Sequence, residues 1–280
     1  MTASTTALPL PTARFTDLLA AEWIKLRSLR SIHWALGAGA LGIIAFNTNA
    51  ARADYVNFPH YGRVVRTHFL SWALRDAFTQ GAAMMLVLAA SSIGAISIVG
   101  EYTTGLVRTT FAAVPDRRAL MTAKVVVVAA VMTVYGAFTA GASFVLTQAV
   151  LDGRGQGVSI GHPGALRVVV ASALLAPVCA LAGLGLGALI RHSATTTVFN
   201  VFVLLFLPTF VTDRYHWTAC VRNALPFNAW YRLVDVEYGH QPFTLTPRYQ
   251  TTVTGGWIVF GAWALAAAVV AVVAVDRRDV

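Results

Sequence analysis

The side chains in this sequence that could do chemistry are few and scattered. The seven histidines are His33, His60, His68, His162, His192, His216 and His240, and they fall near the ends of apolar runs or between them. None belongs to the His-Glu-x-x-His spacing that puts two imidazoles on one helix face for a metal. They read as interfacial residues. Cys179 and Cys220 are the two thiols; they show neither Cys-x-x-Cys spacing nor a disulfide framework. Gly153, Gly155 and Gly157 lie in the run LDGRGQGVSIG. A phosphate-binding loop would need a following Lys-Ser or Lys-Thr, and these glycines have none, so the run reads as a flexible connector. No Ser, His and Asp grouping stands out. The sequence therefore predicts no catalytic residues, no metal and no cofactor on this chain.

The elements that would hold such residues are mostly apolar. Of 280 residues, 57% are hydrophobic and only 12% charged, and the mean hydropathy is +0.65. Soluble domains carry roughly 25% charged residues. Six apolar stretches are long enough, or nearly so, to cross a bilayer at about 20 residues each. They run 33–51, 77–99, 125–150, 168–190, 195–212 and 254–275, and stretches two to six contain no Asp, Glu, Lys or Arg. The predicted fold class is an all-α integral membrane protein with six transmembrane helices in a domain spanning 32–280. Residues 1–13 read as a disordered tail and 14–31 as an amphipathic interfacial helix. On that helix Phe15, Leu18, Leu19, Trp23, Leu26 and Leu29 share one side, while Glu22 and Arg30 intrude on it. Trp23, Lys25, Arg27 and Arg30 are the residues suited to the membrane surface.

The net charge is +9. The basic residues are dispersed among short segments, which implies membrane topology and lipid contact and no nucleic-acid partner. Six crossings put both termini on one side. The positive-inside count is close to balanced, and the Lys25, Arg27, Arg30 cluster before the first stretch favours cytoplasmic termini. Inside the apolar stretches the polar groups are neutral. Ion-coupled carriers usually keep charged side chains there, so uphill transport by this chain would draw its energy from another polypeptide. Asn47, Gln80, Asn200 and Pro208 are the candidate pathway residues; helix–helix hydrogen bonding and a simple kink are the alternative reading. Gly183 and Gly187 form a Gly-x-x-x-Gly pair suited to close helix packing.

Two connecting segments are long enough to have a role. The first, 101–124, reads EYTTGLVRTTFAAVPDRRALMTAK. The second, 213–253, is rich in aromatics and prolines and suits a pair of short interfacial or re-entrant helices. Together, AAEWIKLRSLRSIHWAL and GEYTTGLVRTTFAAVPDRRALMTAK resemble the permease subunit of type-2 ABC transporters, the exporter type. The likeness extends over nearly the whole chain. It implies that 101–124 carries a coupling helix that docks on a separate ATPase, with Glu101, Gly105, Arg108, Arg117 and Arg118 available for that contact. Glu101 and Gly105 match the family's Glu-x-x-x-Gly pattern.

The resemblance also implies that 213–253 is an outer hairpin and that a second permease copy, identical or sister, completes the pathway. It places ATP and magnesium on the ATPase subunits, and the chain in a bacterial cell membrane as a transport subunit and not as an enzyme. A membrane-embedded enzyme acting on lipid and a non-transporting regulatory membrane protein are the competing readings.

Overall fold

The most buried helix is α8 (Ala165–Ile190), and the other long helices pack around it. The computed structural model describes residues 14–114, 116–211, 215–236, 249 and 251–276, with the side chains of Arg108 and Asp276 outside that description. All elements among these residues are helical. The expected tail at 1–13 lies outside the described residues, as do 237–248 of the expected outer hairpin.

Five segments are long and apolar enough to cross a membrane: 69–103, 117–152, 165–190, 193–210 and 253–275. A sixth is reached if the bent pair α1 (Phe15–Ser28) and α2 (Arg30–Asn57) counts as one. These two helices meet at a 71° angle around Leu29. The expected first stretch, 33–51, lies inside α2, whose apolar run is diluted by Asn47, Thr48 and Asn49.

Several expected boundaries move. The second stretch is preceded by a separate helix α4 (Phe69–Asp76), and α5 (Gln80–Thr103) starts after a break at 77–79. Asn47 fixes that break. Its Oδ1 accepts from both the backbone N and the Oγ1 of Thr79, each at 2.9 Å, and its Nδ2 donates to Ser143 Oγ at 3.0 Å. The third stretch, 125–150, lies inside a longer helix. Helix α7 runs unbroken from Arg117 to Asp152, capped by Asp116, whose Oδ1 accepts from Ala119 N at 3.0 Å. Its 36 residues reach about 54 Å, well beyond a hydrocarbon core of about 30 Å, so α7 projects past the apolar layer.

Helix α4 and the end of α7 pack around the start of α8. A short α3 (Arg63–Thr67) leads into α4. Gln148 ties α7 to the same end, donating to Ala73 O at 2.9 Å and accepting from Val158 N at 2.9 Å. Segment 193–210 is not one regular helix. It consists of α9 (Ser193–Val201), a π segment (Phe202–Phe206) and α10 (Leu207–Phe210). Pro208 has no N–H to give the preceding turn, which accounts for the widened ladder. The described residues of the 213–253 region include two short helices, α11 (His216–Asn223) and α12 (Pro226–Val234). Trp230 of α12 is buried among Phe78 and Phe227, and its Nε1 donates to Ser172 Oγ of α8 at 3.1 Å. The last helix, α13 (Val253–Asp276), packs on α8, α7 and α12.

Backbone approach, more than side-chain bulk, sets the packing of α8. A Cβ on Gly94 would stand 1.8 Å from Ala180 O, and one on Gly183 would stand 2.0 Å from Ser91 O. These reciprocal contacts bring α5 and α8 together. Gly187 meets Ile98 and Val99 of the same α5, so the Gly-x-x-x-Gly pair is used within the chain. A third contact has a cause in sequence. Pro177 leaves the carbonyl of Ala173 without its usual helical donor. That oxygen lies where a Gly136 Cβ would be, 2.0 Å away, so α7 can approach it only through glycine.

Replacing Gly183 by alanine is therefore expected to push α5 and α8 apart and to destabilise by about 1–3 kcal/mol or more. Gly141→Ala on α7 meets nothing within 4 Å and should be neutral or stabilising by roughly 0.5–1 kcal/mol. Thermal unfolding of both variants in detergent checks this; equal midpoints would contradict the close-approach account.

Candidate functional site

Four charged side chains from three helices meet where α1 crosses the bundle. Glu22 and Lys25 come from α1, Glu101 from the last turns of α5, and Lys124 from the third turn of α7. Lys124 Nζ donates to Glu22 Oε2, to Glu101 Oε1 at 2.8 Å and to Ser97 O at 3.4 Å. Lys25 Nζ donates to Glu22 Oε1 at 2.7 Å and to Glu101 Oε1 at 3.1 Å. The result is a closed ring of alternating charge with no net charge. The Glu22 and Lys124 side chains are only 2% and 4% exposed, while Lys25 keeps 34%. A buried lone charge would be costly, and each one here has two opposite neighbours.

This ring revises the sequence reading of α1. Glu22 is one of the two buried residues of the helix and faces the bundle; it does not spoil a lipid-facing stripe. Leu18 is the other, packed with Leu120 and Ala123 of α7. Trp23 is about half exposed, and Arg27 and Arg30 point outward. Lys124, read from sequence as a connecting-segment charge, lies within α7 and is buried. A cavity of about 220 Å³ adjoins the ring, lined by Leu26, Leu29, Ile96 and Val127 as well as the four charged residues.

The expected coupling segment is divided. Residues 101–103 finish α5, 106–113 form the separate helix α6 (Leu106–Ala113), and 117–124 belong to α7. Gly105 makes the turn between α5 and α6 with φ +73°, a left-handed conformation that glycine adopts without strain. The threonines around it bond locally: Thr103 and Thr104 hydroxyls donate to Gly100 O at 3.0 and 2.8 Å. Phe111 of α6 packs toward Leu18 and Leu120, and the Arg117 guanidinium lies 5.1 Å from its ring centre. Arg118 is exposed. The Arg108 side chain lies outside the described residues. Among the expected coupling residues, then, Glu101 is engaged within the chain, and Gly105 and Arg117 shape and seat α6.

The expected pathway residues lie on α2, α5, α9 and α10. Asn47 is consumed in holding α2, α5 and α7 together. Gln80 is exposed at the start of α5, and Pro208 is buried at the π segment. Asn200 is 1% exposed on α9, and neither atom of its amide has a partner. Near this end of the bundle, Arg191 closes α8 at φ 58° and lays its guanidinium 4.7 Å from the Tyr102 ring centre. The sequence reading also passed over charges at the opposite end, where Arg75 meets Asp235 at 3.3 Å and Tyr61 donates to Asp54 at 2.7 Å. Among the described residues, no group of three or more His, Cys, Asp or Glu side chains is placed to hold a metal ion. No protein-family model matches the chain, and no characterised protein sequence matches it significantly.

Two expectations follow from the ring. Lys124→Met strands a buried carboxylate and should destabilise by about 3–5 kcal/mol. Adding Glu22→Gln to Lys124→Gln leaves the Lys25–Glu101 pair balanced and should recover most of that loss in thermal unfolding. The second concerns Lys25. Burial disfavours its ammonium, but hydrogen bonds and charges from Glu22 and Glu101 outweigh that and hold its pKa above the usual 10.5. A raised folded-state pKa stabilises fully below the unfolded value and loses that contribution as pH rises through the folded one. The stability difference between wild type and Lys25→Gln should therefore be constant below about pH 10 and shrink above it. Denaturant titrations across alkaline pH measure this.

Proposed function

We propose that this chain is the transmembrane permease subunit of an ATP-driven exporter of the ABC type. In this reading α2, α5, α7, α8, the 193–210 segment and α13 are six spans with both termini at the cytoplasmic face. Helix α1 lies along that face, and α6 docks on a separate ATPase subunit. Two permeases, identical or sister chains, pair to form the substrate pathway. ATP and magnesium are bound by the ATPase.

The observation that supports this best is how α6 is hung. It is a short helix between two membrane-length helices, turned by Gly105, seated through Phe111, and adjacent to the ring that ties α1, α5 and α7 together. A push on α6 would enter α5 and α7 at their ends and reach α1 through the same ring. Rigid-body transmission of this kind needs short, stiff connections. The reading assigns Glu101 to transmission inside the chain and leaves the exposed surface of α6, with Arg118, to meet the ATPase. The absence of charged side chains through most of the apolar spans agrees with an external energy source.

The experiment is co-purification of this chain with its genomically adjacent ATPase, followed by hydrolysis and transport assays in proteoliposomes. Equal-amount co-elution is expected. Glu101→Gln should keep the ATPase bound while lowering transport per ATP about tenfold, a loss of near 1.4 kcal/mol in coupling. Arg118→Glu should weaken ATPase retention. A chain that binds no ATPase, with the ATPase folded and active, would overturn the proposal.

A further inference from the structure

Where α1 crosses α7, the two helices leave an open groove of about 530 Å³ with entirely apolar walls. Leu19, Ala20 and Trp23 form its roof; Val126, Ala130 and Val134 form its floor. It follows α7 from Val126 to Val134, a rise of about 12 Å, most of the roughly 15 Å that one leaflet contributes to the hydrocarbon core. Trp23 is 48% exposed and Val134 71% exposed, so the groove opens sideways along the bundle.

The charges around the groove are uneven. Glu22 is neutralised inside the ring. Asp17 caps the start of α1 by accepting from Arg14 N at 3.0 Å. With Lys25 held in the ring, the outward charges beyond the roof are Arg27, near the C-terminal end of α1, and Arg30, at the start of α2, both basic. Arg27 follows Ala20 by seven residues and Trp23 by four, which puts it on the same helical stripe, one turn past the groove's roof. A guanidinium there can meet a phosphate with two parallel hydrogen bonds.

We propose that this groove is a binding site for one anionic phospholipid, with an acyl chain along α7 beneath Trp23 and the headgroup phosphate at Arg27 and Arg30. An amphipathic helix tied to the bundle by a buried ion ring roofs a volume that hydrocarbon must fill. The basic rim selects which lipid supplies it. The site requires phospholipid around α7 but no ATPase, so it stands apart from the transport reading.

Purified full-length chain is equilibrated with equal phosphatidylglycerol and phosphatidylcholine in mixed micelles, and retained lipid is counted by native mass spectrometry. One phosphatidylglycerol per chain is expected, preferred about fivefold or more over phosphatidylcholine. Arg27→Gln should reduce that preference toward unity while lipid is still retained. Ala130→Trp fills the floor and should reduce retention on the order of tenfold, with its unfolding midpoint showing that it folds. Val134→Trp, on a more exposed position, repeats the test. In the wild-type chain, phosphatidylglycerol with brominated acyl chains should quench fluorescence that Trp23→Phe lacks. Equal retention of the two lipids, retention unchanged by both tryptophan variants, or a lipid-free groove closed by a second copy of the chain or another protein would overturn the proposal.

Discussion

Four charges that cannot be buried singly are buried together where α1, α5 and α7 meet. Each helix supplies what the others lack: α1 brings an acid and a base, α5 an acid, α7 a base. The constraint is shared: withdrawing α5 or α7 would leave one charge of the ring unbalanced in a low-dielectric region, and withdrawing α1 would break two of its four contacts and leave Glu101 and Lys124 as a single pair. This makes α1 part of the helical bundle. The groove under α1 and the cavity beside the ring are consequences of holding an amphipathic helix at that point.

The opposite physical device governs the interior. Around α8 there is little charge and little bulk, and the backbones of α5, α7 and α8 approach through Gly94, Gly136 and Gly183. Lipid tails are as apolar as the side chains that face them, so such helices gain little from hydrophobic burial and more from close contact. Pro177 adds a local cause by freeing the Ala173 carbonyl that Gly136 then meets. The bundle thus has a tightly apposed interior and an ion-paired end. The outer helices are less enclosed: 83% of the apolar window of α8 is buried, against 28% in α13 and 22% in 193–210.

The helical class and most membrane-length helices could be read from uninterrupted apolar runs, because hydropathy and helix length are local properties. The helical character of 216–234 was legible for the same reason, whereas the turn at Gly105 was not, because its left-handed backbone leaves no periodic signal. The unbroken α7 was not, since the charges at 117–124 look like a loop until Lys124 finds Glu22 and Glu101. Glu22 on an apolar stripe was a signal that a cation had to lie opposite it, but nothing in sequence says which one across 102 positions. Asn47 likewise looked like a pathway residue because its partners, Thr79 and Ser143, are distant in sequence. The π segment before Pro208 reflects a lost hydrogen bond, and a kink was the nearest sequence-level expectation.

The central claim is that the ion ring holds α1 to the bundle. Hydrogen exchange followed by mass spectrometry, on the full chain in lipid nanodiscs, tests it most directly by comparing wild type with Lys124→Met. The account predicts that amides of α1 over 15–28 lose protection by about tenfold or more, while those of α8 are unchanged. Undiminished protection of α1 in the variant would contradict it.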